Sequence, residues 1–206
     1  MKTSVLIGLS RHRIGLDGAG VTTLVAFHGC PLRCKYCLNP KALRSDGVWK
    51  RFTPEELYTH VKQDDLYFRA TDGGVTFGGG EPLISCKEIL HFHKICRDNG
   101  HKWKINIETS LNVPQIFVEV LEGVVDHWIV DIKDMNPDIY RAYTGEDNAQ
   151  VITNLRHLLG SQAKITARVP LIPTFNTESD IENSIAILQQ IGVENIDRLT
   201  YITKKH

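Results

Sequence analysis

The stretch Trp103-Lys104-Ile105-Asn106-Ile107-Glu108 alternates strictly between apolar and polar residues. As a strand, it puts Trp103, Ile105 and Ile107 on one face and Lys104, Asn106 and Glu108 on the other. The alternation recurs in His127–Lys133, where Trp128, Val130 and Ile132 oppose Ile129, Asp131 and Lys133. Ile165, Ala167 and Val169 likewise oppose Thr166 and Arg168. Ions on the second face of three strands do not belong in a dry core. They gather at strand C-terminal ends, where α/β folds place ligands. Their shared face is expected to line a cavity, which favours a partial barrel over an open doubly wound sheet.

Working outward, strands are also expected at Thr23–Phe27, Gly74–Phe77 and Arg198–Tyr201. Helical patterns lie between the strands, at Pro54–Lys62, Ser85–Asn99, Pro114–Glu122, Pro137–Tyr143 with Ala149–Leu159, and Glu178–Ile191. Thr53-Pro54-Glu55-Glu56 and Asn136-Pro137-Asp138 are helix starts, and Gly100 and Gly160 read as helix stops. Strand–helix alternation implies βαβ units and a parallel sheet. The 206 residues fit one domain, 1–206. The 24 basic and 24 acidic residues cancel, so no net field draws the chain to nucleic acid or membrane. Met1–Gly8 has too short an apolar stretch for a signal peptide, and no segment approaches the roughly 20 apolar residues of a membrane span. A protein of the reducing cytoplasm is expected.

Three of the five cysteines cluster, as Cys30-Pro31-Leu32-Arg33-Cys34-Lys35-Tyr36-Cys37. Cys86 and Cys96 stand apart and are expected to act as buried small hydrophobes. Iron–sulfur cubes are normally held by one thiolate per iron, so three thiolates would leave one iron open for chemistry. Zinc is the competing reading, with His28 or a distant histidine as fourth ligand. The three-then-two spacing departs from paired zinc knuckles, and the loop follows directly on a strand, which favours a working iron–sulfur site.

Gly78-Gly79-Gly80-Glu81-Pro82 follows another strand. Its glycines permit close backbone approach to a ligand, and Glu81 suits an ammonium group rather than a phosphate; a tight turn with a surface glutamate is the plainer alternative. Asp131 and Lys133 point the same way from one strand, as a structural ion pair or as ligand groups. With Glu108, Thr109 and Arg168 at neighbouring strand ends, they suit a zwitterionic ligand carrying a carboxylate and hydroxyls. His91 and His93, two apart on a helix, do not share a face for metal binding. Arg11-His12-Arg13 is expected to face solvent, and Lys204-Lys205-His206 to be a frayed end.

The Cys30-x-x-x-Cys34-x-x-Cys37 motif, with Tyr36 before the third cysteine, resembles the signature of radical S-adenosylmethionine enzymes. Asp17-Gly18-Ala19-Gly20, Phe27-His28-Gly29-Cys30, Gly79-Gly80-Glu81-Pro82, Asp131-Ile132-Lys133 and Arg168-Val169-Pro170-Leu171-Ile172-Pro173 resemble, more closely, the activating enzymes of glycyl-radical enzymes. The resemblance implies a partial (β/α)6 barrel that holds a [4Fe–4S] cluster on Cys30, Cys34 and Cys37. S-adenosylmethionine would bind through its amino and carboxylate groups to the fourth iron. It implies that Gly79, Gly80 and Glu81 receive the methionine amino group, and that Asp131 and Lys133 hold the methionine and ribose portion. Arg168 would lie beside the cofactor, and Tyr36 would contact adenine through its backbone. In some activases residues at the positions of Glu108, Thr109 and Asp131 hold a monovalent cation. Ala19 replaces the usual proline of its block, and Ile202 stands where some activases have a ribose-contacting histidine. No further cysteine lies between Cys37 and Gly78, so a single cluster fed by an external flavodoxin or ferredoxin is expected. The implied reaction is hydrogen abstraction from a glycine of a partner glycyl-radical enzyme. The rivals are radical modification of another peptide or small molecule, and a zinc or iron–sulfur interaction module without turnover.

Overall fold

The computed structural model describes residues 3–161 and 163–201. In chain order they form β1 (Ser4–Ile14), β2 (Val21–Phe27), β3 (Lys50–Phe52), α1 (Pro54–Val61), α2 (Asp65–Thr71), β4 (Gly74–Gly79), α3 (Cys86–Asp98) and β5 (Lys104–Thr109). Then come α4 (Gln115–Glu119), β6 (His127–Asp131), α5 (Pro137–Thr144), α6 (Ala149–Gly160), β7 (Ile165–Leu171), α7 (Glu178–Gln190) and β8 (Asn195–Thr200). Ile202 and Lys204-Lys205-His206 lie outside the described residues.

All strands join one sheet, in the order β3-β1-β2-β4-β5-β6-β7-β8. The six expected strands, β2 and β4 to β8, run parallel. β1 pairs antiparallel with both β2 and β3, an extension that period-2 reading missed. No pairing joins β3 to β8 among the described residues, so the sheet is a partial barrel, open along one side. Among the described residues no helix is long and apolar enough to cross a membrane.

Local chemistry explains the helix ends. Thr53 and Glu56 close a reciprocal capping box on α1, and Thr177 with Asp180 does the same on α7. Asn136 caps α5 at its start, and Gly145 ends it in a left-handed conformation. The outward face of the parallel strands carries Val75, Phe77, Ile105, Ile107, Trp128, Val130, Ala167 and Val169, packed with Phe92, Leu155, Ile181 and Leu188 of the helices. Cys86 and Cys96 are buried in this layer, as expected. Each large side chain so buried contributes roughly 1.5–3 kcal/mol. The inward face carries the polar row: Thr76 is in register with Asn106, Asn106 with His127, and Asp131 with Arg168.

The connection between β1 and β2, residues 15–20, tucks into that inward face. Asp17 is buried; its carboxylate accepts from Thr22 and Arg13, and its carbonyl accepts from Thr76 at 2.6 Å. Arg11-His12-Arg13 is therefore more than a solvated run. Arg11 and His12 are partly exposed, yet both close on the carboxylate of Asp64, while Arg13 holds Asp17. His91 faces Glu55 and His93 accepts from Arg97, so the two histidines do not act together.

Candidate active site

The cysteine loop leaves the carboxyl end of β2, and three backbone hydrogen bonds fix it, one to Ala42 and two to the end of α5. Gly29 N–H donates to the Ala42 carbonyl at 2.8 Å, Arg33 N–H to Thr144 at 2.8 Å and Lys35 N–H to Tyr143 at 3.1 Å. The glycine segment after β4 is zipped to the root of this loop: Gly80 N–H donates to Phe27 and Glu81 N–H to Gly29. Asn39 of the loop reaches back to the Gly79 carbonyl at 2.9 Å. Two glycines are required by this approach. Gly79 has φ +95°, and a Cβ there would lie 2.7 Å from Ala26 Cα; at Gly80 a Cβ would lie 2.1 Å from the Gly29 carbonyl oxygen. Gly80→Ala is therefore expected to push the two loops apart, at a cost on the order of 2–3 kcal/mol. A thermal melt of the cluster-free chain checks this, with a drop of several degrees expected; an unchanged melt would show that the loops part freely.

Glu81 is only 1 % exposed. Its carboxylate accepts from Thr109 Oγ1 at 2.7 Å, Ser110 N at 2.9 Å, Ser110 Oγ at 2.7 Å and Leu83 N at 3.3 Å. Burial raises its pKa, and the four donors only partly offset that. The plainer alternative of a surface glutamate is thus excluded, and the carboxylate is already engaged by four donors. Glu81 instead ties the glycine segment to the end of β5, which leaves the backbone of Gly79-Gly80-Glu81 as the part that can face a ligand.

Asp131 and Lys133 are joined at 2.9 Å. Lys133 is nearly buried; burial pulls its pKa down, but Asp131 above all holds it well above the ordinary lysine value. Its ammonium also donates to Tyr201 Oη at 3.3 Å. Glu108 and Arg168 pair at 2.7 Å across neighbouring parts of the inward face. Burial pushes the Glu108 carboxyl up, Arg168 pulls it back, and Asp131 and Asp17 add to the rise. The second Arg168 nitrogen donates to the Leu16 carbonyl, so the inserted β1–β2 connection helps aim this guanidinium. Beside it lies a polar cavity of about 300 Å3, lined among others by Gly18, His127, Thr166 and Asp197. Glu108, Thr109 and Asp131 turn to different partners, Arg168, Glu81 and Lys133 respectively.

Around Tyr36, three residues that sequence reasoning did not single out, Thr174, Phe175 and Tyr143, complete the mouth. Tyr36 donates or accepts at Thr174 Oγ1, 3.1 Å away, and its ring meets Phe175 edge-on. Tyr143 packs against Phe175 with ring centroids 5.1 Å apart. The Tyr143 hydroxyl is buried with no partner at hydrogen-bond distance; the Tyr201 hydroxyl, which it faces from farther off, is its nearest polar neighbour, with Lys133 and Cys34 beyond. A buried orphan donor at that place fits a bound group with acceptor atoms.

The donor set fits a cluster better than a single ion. All three loop thiols are free and partly buried. Burial, with the charge of Glu81, pushes the Cys30 thiol up to about 12; burial also raises that of Cys34, against the pull of Lys133. His28, the candidate zinc ligand, gives its Nε2 to the Arg44 carbonyl at 2.8 Å. Ligands to a cube stand around a volume, one per iron, and the loop supplies three from one side.

The comparisons agree. The chain is 31% identical to the pyruvate formate-lyase-activating enzyme of Clostridium pasteurianum over 193 residues, covering 91% of this chain and 78% of that one. It is 27% identical to the (2S)-3-sulfopropanediol dehydratase activating enzyme of Klebsiella oxytoca, covering 85% of this chain and 74% of the relative. The crystal structure of Streptococcus suis SuiB bound to S-adenosylmethionine shares the fold at a TM-score of 0.67 and 14% identity, over 88% of this chain and 42% of that one. The model of the radical SAM superfamily matches residues 24–188, spanning the cysteine loop and strands β3 to β7; this chain belongs to that superfamily.

Proposed function

We propose that the chain, acting as one domain over residues 1–206, cleaves S-adenosylmethionine reductively and uses the radical to take a hydrogen atom from a glycine of a partner glycyl-radical enzyme. The observation that carries this reading is the convergence, at the carboxyl end of one partial barrel, of three free thiols, a glycine-backbone cradle and two ion pairs. Similarity to two activating enzymes over most of the chain supports the choice of glycine as hydrogen donor. The [4Fe–4S] cluster and S-adenosylmethionine together supply a 5′-deoxyadenosyl radical when one electron is delivered.

The chain's own residues bind and orient. Cys30, Cys34 and Cys37 hold three irons. The backbone of Gly79, Gly80 and Glu81 receives the methionine amino group, since the Glu81 carboxylate is committed to β5. Lys133, kept charged by Asp131, faces the carboxylate end, and Asp131 the ribose hydroxyls. Arg168, fixed between Glu108 and the Leu16 carbonyl, closes the inward face below the cysteine loop. Tyr36 offers its backbone to adenine while its ring is held by Phe175. Glycine suits the reaction because no side chain blocks its α-carbon. A flavodoxin or ferredoxin provides the electron.

The test is anaerobic reconstitution with iron and sulfide. Expected are about four irons per chain, release of 5′-deoxyadenosine under dithionite, and a glycyl-radical resonance when a glycyl-radical enzyme is added. A fully loaded protein that releases none would overturn the reading. Release without a radical on the partner would overturn the glycine step alone.

A further inference from the structure

The last turn of α5 carries Tyr143, which is only 1 % exposed. Its place is fixed from several directions. Gly145 ends the helix, the Tyr143 carbonyl accepts from Lys35 N–H at 3.1 Å, and the Thr144 carbonyl accepts from Arg33 N–H at 2.8 Å. Those two donors flank Cys34, so the end of α5 is fastened on both sides of one thiol. The Tyr143 ring is wedged between Phe175, with centroids 5.1 Å apart, and Tyr36, at 6.3 Å. A ring so packed does not swing its hydroxyl out to water. Buried tyrosine hydroxyls ordinarily find a partner, and among the described residues Tyr143 has none at hydrogen-bond distance.

The same corner holds a second hydrogen without an acceptor. A lysine ammonium has three. Asp131 takes one of those on Lys133 at 2.9 Å and the Tyr201 hydroxyl another at 3.3 Å; the third has no partner among the described residues. The Lys133 side chain is 9 % exposed against 38 % for Asp131, so water screens the acid more than the base. Burial above all raises the Tyr143 hydroxyl beyond the ordinary tyrosine range, so it keeps its proton and can donate. Two unassigned donors, one of them charged, match a group with two acceptor atoms and a negative charge. A carboxylate is such a group; an ammonium group would offer neither donor an acceptor.

We propose that the Tyr143 hydroxyl and the Lys133 ammonium together hold the carboxylate of bound S-adenosylmethionine. Tyr143 is then a binding residue of the cofactor site and not only an aromatic of the core. This rests on the radical SAM reading above, and adds to it a residue outside every motif that pointed to the family. In the empty site the hydroxyl goes unpartnered, a cost to the fold that binding relieves.

The experiment uses the reconstituted holoenzyme without reductant, in equilibrium dialysis, with S-adenosylmethionine and its decarboxylated form as probes. Tyr143→Phe is expected to raise the Kd for S-adenosylmethionine about tenfold, the effect of one hydrogen bond to a charged group. The Kd for the decarboxylated form should stay at the parent value. A second readout needs no cluster. The ligand-free, cluster-free Tyr143→Phe chain should melt at or above the parent, because phenylalanine keeps the ring and removes a buried polar atom that lacked a partner. An unchanged Kd for S-adenosylmethionine would overturn the proposal and leave the function intact. So would equal weakening of both probes, which takes the hydroxyl off the carboxylate, or a clearly lower melt, which makes it a structural group serving Tyr201 or a buried water. A parent that carries a full cluster yet binds neither probe would sink the S-adenosylmethionine reading, and this proposal with it.

Discussion

Cys34→Ala is expected to yield a folded chain that retains no complete cluster and releases no 5′-deoxyadenosine. The backbone on either side of Cys34 is held by Arg33 N–H on Thr144 and Lys35 N–H on Tyr143, bonds that alanine keeps. Loss of one partly buried sulfur costs about 1 kcal/mol, small against the 5–15 kcal/mol of a typical domain. The functional effect is of another order, because a thiolate is needed on each of three irons. Iron analysis, the visible spectrum after reconstitution and chromatography of the nucleoside product measure it. Cys96→Ala is the control: that thiol is buried in the outer core and pushed up to about 12 by burial, so iron content and cleavage should match the parent. A Cys34→Ala chain with full iron and full cleavage would refute the ligand assignment.

The six parallel strands were legible because each puts apolar residues toward the helices and polar ones inward, a difference that alternation exposes. β1 was not, for a physical reason. Its register shifts between Leu6 and Gly8 and again between Ser10 and Arg13, and bulges destroy a period of two. β3 has only three residues. α2 was lost because a tight turn at Lys62–Asp64 breaks the helical period after α1; the helix is placed by Asp65, which accepts from Trp103 Nε1 at 2.8 Å and faces His101 at 2.9 Å. Neither partner is local in sequence. In the site, Asp131 and Lys133 were readable as a pair because two residues on one strand share a face. The Arg168–Glu108 pair spans sixty positions; alternation gave the shared face but not the partner. Tyr143 was invisible as a site residue because an aromatic on a helix reads as core, and only its unpartnered hydroxyl marks it out.

Glu81→Ala is expected to destabilise the chain by roughly 3–5 kcal/mol, since it strips a shared acceptor from buried donors that each cost about 1–3 kcal/mol when unsatisfied. The Thr109 and Ser110 hydroxyls, Ser110 N–H and Leu83 N–H all lose their partner. Glutamine is a poor rescue: its oxygen can serve one pair of donors, but its amide nitrogen then faces the other pair. For a chain of this length the expected fall in melting temperature is about 10 °C, in the cluster-free protein and without S-adenosylmethionine. The sign with pH also follows. Burial holds the Glu81 carboxyl above its ordinary 4.5, so the folded chain binds that proton more tightly than the unfolded one. This group's contribution therefore rises as the pH falls through the window from the raised value to about 4.5, and the gap between parent and Glu81→Ala should widen there. If the carboxylate instead served only the methionine amino group, the variant would melt like the parent at every pH and lose affinity for S-adenosylmethionine alone. Denaturant and thermal unfolding of the two cluster-free chains across that pH range separate a structural tie from a ligand contact.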